Sequence, residues 1–155
     1  MPDHFKEAKS RALRFLTYRD RSVQEVKSHL AKKEFSPPIV TQVIEWLVDL
    51  NYLNDERFAR QWGRFRLESK KWGKYRLQQE LLSKGLDSEL VEETLNGLYN
   101  KVDEFELALS CVAKKLPALK GLDLQKKRRR IAQFLQRRGF STDAVFKVLD
   151  HLFPY

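Results

Sequence analysis

The residues in this chain best suited to chemistry are cations set among aromatic rings. Arg64-Phe65-Arg66 and Lys71-Trp72-Gly73-Lys74-Tyr75-Arg76 alternate the two types, and Lys126-Lys127-Arg128-Arg129-Arg130 runs five cations together. Lys and Arg neutralise phosphates while ring faces stack on bases, so these stretches point to binding a polyanion. Five cations in a row wrap around a helix, so some of them must turn away from any single ligand. Trp62 and Phe65, three apart, are expected to pack in the core. Trp72 and Tyr75 lie beside a turn glycine and suit packing and stacking equally.

Bond-making chemistry has no comparable constellation. His4, His29 and His151 are scattered, with no carboxylate or cysteine at a ligand or triad spacing. Cys111 is the only cysteine, which excludes an intramolecular disulfide and a multi-cysteine zinc site. Its setting on an apolar helix face makes it a core thiol. Asp103, Glu104 and Glu106 stand at a junction, where helix N-terminal charge accounts for them better than a metal does. The six glycines stand apart and form no phosphate-cradling loop. The reading is therefore a binding protein with no catalytic residue, metal or cofactor.

Charge is banded along the chain. There are 30 basic and 21 acidic side chains, a formal balance of +9. From Glu56 to Lys84 nine basic residues face three acidic ones; from Asp87 to Glu106 seven acidic residues face Lys101 alone. From Lys114 to Arg138 ten basic residues face only Asp123. A field of this sign favours nucleic acid or an acidic protein surface. The sequence shows neither an apolar signal core at its start nor a membrane-length apolar run, so a cytoplasmic monomer is expected.

The elements that carry these residues repeat. Val26 to Ser36, Leu77 to Asp87 and Ile131 to Ser141 each read as a helix with apolar anchors four apart, a basic residue, a stop, an apolar residue and an N-cap. Val40, Val43, Ile44 and Leu47 then match Val91, Thr94, Leu95 and Leu98, and again Val145, Val148, Leu149 and Leu152. Positions i, i+3, i+4 and i+7 form one helix face. Gly85 and Gly139 supply left-handed helix ends, and Ser36, Asp87 and Ser141 are placed to cap the next helix. Glu34 replaces the glycine in the first copy, so that corner is expected to be built differently. Upstream helices run over Ala12 to Tyr18 (Leu13, Phe15, Leu16), Phe58 to Leu67 and Phe105 to Lys115. The fold class is all-α: three tandem three-helix repeats, spanning 5–53, 54–103 and 104–155, in an elongated, curved array.

Two stretches resemble a known family. Tyr52-Leu53-Asn54-Asp55-Glu56-Arg57-Phe58-Ala59-Arg60 resembles the "YLDD-x-RFA" signature of RecX, regulators of the RecA recombinase. Lys71 to Leu86 is similar to that family's "KG-x-x-R-I-x-x-E-L-x-x-KG-I" pattern. Asn54 departs from the usual aspartate yet caps a helix about as well, and Trp72 displaces the basic residue before Gly73. Arg76 and Glu80, four apart, are expected to pair on the outer face.

The resemblance implies a protein that binds RecA and its filament on single- or double-stranded DNA and limits recombinase, ATPase and coprotease activity. The contacts are expected from Arg57, Arg60, Arg64 and Arg66, from Lys70, Lys71, Lys74, Arg76 and Lys84, and from Lys126, Lys127, Arg128, Arg129, Arg130, Arg137 and Arg138. A helix-turn-helix transcription regulator is the alternative, because it too is built from three-helix units. Against it, the third helix of the middle repeat carries Glu89, Glu92 and Glu93 where a recognition helix would carry cations.

Overall fold

The computed structural model describes residues 3–155. Among them are nine α-helices, three to a repeat, and no strand. The first repeat holds α1 (His4–Tyr18), α2 (Val23–Lys32) and α3 (Pro37–Asp49); the second α4 (Asp55–Lys70), α5 (Lys74–Ser83) and α6 (Ser88–Tyr99). The third holds α7 (Glu104–Val112), α8 (Leu124–Arg137) and α9 (Thr142–Leu152), with a short 3-10 turn at Leu116–Leu119 that helical periodicity had not suggested. By packing the chain forms two compact units, Met1–Gln61 with Leu81–Val91 and Trp62–Glu80 with Glu92–Tyr155, so the middle repeat contributes to both.

The predicted periodicity selects the buried faces. Val26, Leu30, Val40, Val43, Ile44 and Leu47 join Ala8 and Ala12 in the first core. Ile131, Leu135, Val145, Val148 and Leu149 join Ala108, Val112 and Leu119 in the last. Truncating a fully buried Leu such as Leu30 or Leu135 costs about 2–5 kcal/mol. The buried stripe of α1 runs through alanines, whereas Leu13 stays exposed. On α4, Phe58 and Ala59 are buried, and Gly63 is buried too, since a Cβ there would lie 2.5 Å from Leu98 Cδ1. Phe65 is consequently 54% exposed, against the expectation of core packing, and Trp62 is half-buried.

The helix ends follow backbone chemistry. Asn54 Oδ1 accepts the Arg57 amide at 3.0 Å, and Ser141 Oγ accepts that of Ala144 at 3.2 Å. Ser36 is the N-cap of α3 but makes no side-chain capping bond; Pro37 and Pro38 follow it and remove two amide donors. Asp103 caps α7 through the Glu106 amide, and Glu104 accepts the Ser141 amide at 2.7 Å. Those carboxylates therefore serve helix ends.

Glu34 corrects an expectation. Its φ of 68° matches the left-handed values of Gly85 (78°) and Gly139 (92°), so the corner is built like the others. The same closing bond recurs, from the Phe35 amide to the Leu30 carbonyl and from the Phe140 amide to the Leu135 carbonyl.

What distinguishes the glycines is what docks on them. At Gly85, the N-terminus of α2 meets the last turn of α5. Ser22 Oγ donates to the Lys84 carbonyl at 2.7 Å, and a Cβ on Gly85 would lie 2.3 Å from Gln24 Cβ. At Gly139, the N-terminus of α5 meets the last turn of α8. The Gly73 amide donates to the Arg138 carbonyl at 2.7 Å and the Tyr75 amide to the Gly139 carbonyl at 3.1 Å. A Cβ on Gly139 would lie 2.3 Å from the Arg76 amide nitrogen. Both joints set one helix start against the carbonyls of another helix end, through orphan backbone amides of α5 at Gly139 and through the Ser22 hydroxyl at Gly85.

Candidate nucleic-acid interface

Within the second compact unit, the last turn of α4, the end of α7 and the last turn of α8 surround a cleft of about 470 Å³. Lys70 and Lys71 enter it from α4 and the turn that follows, Lys114 and Lys115 from beyond α7, and Arg138 from the end of α8. Ser69 and Ser110 add hydroxyls, and Phe134 an aromatic wall. Lys115 Nζ stands 5.1 Å, and the Arg138 guanidinium carbon 4.9 Å, from the Phe134 ring centre. Among the described residues, none of the five cations has a carboxylate within ion-pair distance.

The bland explanation for such cations is that they neutralise helix C-termini. The magnitudes decide against it as a full account. Two helix ends, α4 and α7, each present roughly half a negative charge, while the α8 carbonyls are already taken by α5. Five cations against about one compensating charge leave a surplus of about four. Lys71 also holds a left-handed backbone, φ 57°, where glycine would be unstrained. The sequence keeps a cation there at the expense of backbone strain.

Cys111 lines the same cleft while packing partly against the core. Burial lifts its thiol above the ordinary value, with Arg138 and Lys71 pulling the other way. A thiol so placed is mainly protonated near neutrality, so it is no activated catalytic nucleophile, and its small thiolate fraction alkylates slowly.

The aromatic–cation stretch of the middle repeat divides into structure and surface. Trp72 is only 5% exposed, its ring flanked by Arg66 at 4.7 Å and Arg76 at 4.2 Å. Arg66 Nε and Trp62 Nε1 both donate to Glu80 Oε1, and Arg76 Nη1 donates to the Arg137 carbonyl at 2.9 Å. Glu80 is thus engaged by Arg66, in place of the expected Arg76 pair. Lys74 reaches Asn96 Oδ1 at 3.5 Å. Tyr75, Phe65, Arg64 and Lys70 are exposed.

On α8 the run of five separates by helical direction. Lys126, Arg129 and Arg130 are exposed, and Lys127 lies 5.9 Å from the Phe153 ring centre. Arg128 is buried, which revises its expected outward role. It donates to the carbonyls of Leu149 and Phe153 and to Asp150, and so closes the end of α9. Arg137 is exposed. In the first unit Arg57 donates to the Asn51 and Tyr52 carbonyls, Lys84 pairs with Glu25 at 3.5 Å, and Arg60 is exposed.

The cleft therefore gathers Lys70, Lys71 and Arg138 from the predicted contacts with Lys114 and Lys115, which sequence reasoning had counted in a basic band and not assigned. Their signal was the band itself. They lie between helices without interleaved aromatics, so nothing local raised them above solvated charge.

Known proteins share this arrangement. Residues 8–47, 54–95 and 102–149 match, in order, the family descriptions "RecX, first three-helix domain", "RecX, second three-helix domain" and "RecX, third three-helix domain". The chain is 37% identical over 150 residues to the Regulatory protein RecX of Bacillus subtilis (strain 168), covering 97% of this chain and 56% of that protein. It thus spans little more than half the length of such Bacillus relatives. With the Regulatory protein RecX of Prosthecochloris aestuarii it shares 35% identity, covering 95% of this chain and 94% of that one. The crystal structure of RecX from Lactobacillus salivarius superposes with a TM-score of 0.80 at 23% identity, over 98% of both chains, which bears on the fold alone. Through all three of its helical repeats, the chain belongs to the RecX family.

Proposed function

We propose that this protein binds RecA filaments on DNA and restrains their ATP hydrolysis and strand exchange. Relatives named Regulatory protein RecX support a regulatory, non-enzymatic role. The observation that carries the reading is the surplus of unpaired cations around one cleft, on a helical scaffold that among its described residues gathers no metal-binding group of His, Cys, Asp and Glu. Cations in this number suit a polyanion whose charges recur along its length. The exposed cations of α8, Lys126, Arg129 and Arg130, extend the same sign of field.

A transcription regulator would read base edges with one helix. In the middle repeat the third helix exposes Glu89, Glu92 and Glu93, which oppose a duplex. The test adds the purified protein to RecA filaments on single-stranded DNA and follows ATP hydrolysis. Hydrolysis falls as the protein approaches equimolarity with RecA. An unchanged rate there, with tight binding to one duplex sequence, would transfer the assignment to the regulator of transcription.

A further inference from the structure

We propose that the cleft bounded by the ends of α4, α7 and α8 is a seat for the phosphodiester backbone of a single nucleic-acid strand, with Lys114 and Lys115 as principal contacts. The inference deepens the reading above and rests on it only for the identity of the filament.

Three observations point to a strand phosphate. The cations enter from three different helix ends and converge on one cleft instead of lying along a single helix face. A flat face is what a membrane surface would require. Hydroxyls of Ser69 and Ser110 accompany the lysines, and Lys, Arg and Ser are the donor types that meet phosphate oxygens in nucleic-acid complexes. The lining side chains include no carboxylate to repel the strand.

Lys71 gives a second handle on the site. Lys71 is left-handed at the mouth of this cleft, and Gly in its place would relax the backbone. Glu34 and Asn51 hold left-handed backbones as well, and Lys71 is the one of the three that lines the cleft beside its other cations.

Cys111 provides the readout, because the one thiol of the chain lies in the lining. The experiment measures the rate of Cys111 alkylation in the intact protein with a short oligothymidylate, with inorganic phosphate, or with a glutamate-rich peptide of matched charge. The oligothymidylate slows alkylation several-fold, and raising the salt removes the protection. Phosphate and the peptide protect far less. Lys114→Glu with Lys115→Glu abolishes the protection, whereas Lys32→Glu with Lys33→Glu, at the exposed end of α2, retains it. Lys71→Gly unfolds at higher denaturant than the parent yet is protected less.

Equal protection by the peptide or by phosphate alone would overturn the assignment to a strand, and no protection by oligothymidylate would remove the site. Circular dichroism on each variant separates misfolding from lost binding. If the oligothymidylate protects Cys111 while RecA hydrolysis is untouched, the cleft stands and the RecA reading falls.

Discussion

The amide of Gly73 donates to the carbonyl of Arg138 at 2.7 Å, joining the start of α5 to the end of α8. Ser22, the position matching Gly73 one repeat earlier, makes the corresponding bond to the Lys84 carbonyl with its hydroxyl, also at 2.7 Å. The same joint is thus made twice, once with a backbone donor and once with a side chain. At each, the receiving corner is a left-handed glycine pressed by the incoming helix. The third left-handed corner, Glu34, is exposed and tolerates a side chain.

Two substitutions at equivalent corners should therefore act in opposite directions. Gly139→Ala places a methyl against the Arg76 backbone and strains a positive φ, and should destabilise by about 2–3 kcal/mol. Glu34→Gly relieves a left-handed side chain with nothing displaced, and should stabilise by about 1 kcal/mol. Urea unfolding monitored by circular dichroism reads both. A loss of stability in Glu34→Gly would contradict this account of the corner.

Arg128 is expected to separate fold from binding. Arg128→Ala removes a buried guanidinium that closes α9 through the carbonyls of Leu149 and Phe153, and should cost about 2 kcal/mol. Arg129→Ala, exposed one residue on, should lie within about 0.5 kcal/mol of the parent. Thermal melts of the pair check the assignment; equal melting temperatures would show that the Arg128 bonds contribute nothing.

Acid should loosen the first joint. Burial works to raise the Glu25 carboxyl, but the Arg19 hydrogen bond, the Ser22 amide and the Lys84 charge outweigh it and hold the group below its ordinary value. A depressed carboxyl stabilises the fold above its unfolded value, and that stability is lost as pH falls through the folded value. Asp55 runs the other way, because burial raises it despite the Val23 amide it accepts, so its ionisation opposes folding as pH rises. Glu25→Gln should lower stability at neutral pH and shrink the difference between neutral and acid conditions. Urea midpoints at both, for parent and variant, measure this; an undiminished acid loss in the variant would reassign the effect elsewhere.

Most of the fold was legible in the sequence because burial follows periodicity. Leu30, Leu81 and Leu135 are all fully buried at matching positions. What escaped had no hydropathic signal. Gly63 sets the close approach on α4 through the absence of a side chain, and so turns Phe65 outward. Of the candidate site, the bands of charge were plain and their direction was not. Arg128 faces inward within a run of five cations, and only three-dimensional packing brings Lys114 and Lys115 beside Lys70 and Lys71. Ion pairs were equally opaque, since Glu80 lies within reach of more than one arginine by helical spacing and chain folding, and Arg66 is the one it holds.

Lys71 offers a check on whether its strain is retained for binding. Lys71→Gly should raise unfolding stability by about 1 kcal/mol. A fall would mean that the lysine side chain supports the fold, and the reading of the turn as strained would be lost.

Co-sedimentation with RecA filaments assembled on single-stranded DNA, comparing the parent with Lys114→Glu/Lys115→Glu, measures whether these cations hold the protein on the filament. The parent should pellet with the filaments, and the folded variant should stay in the supernatant. A parent that stays behind, or a variant that pellets equally, would contradict the proposed binding.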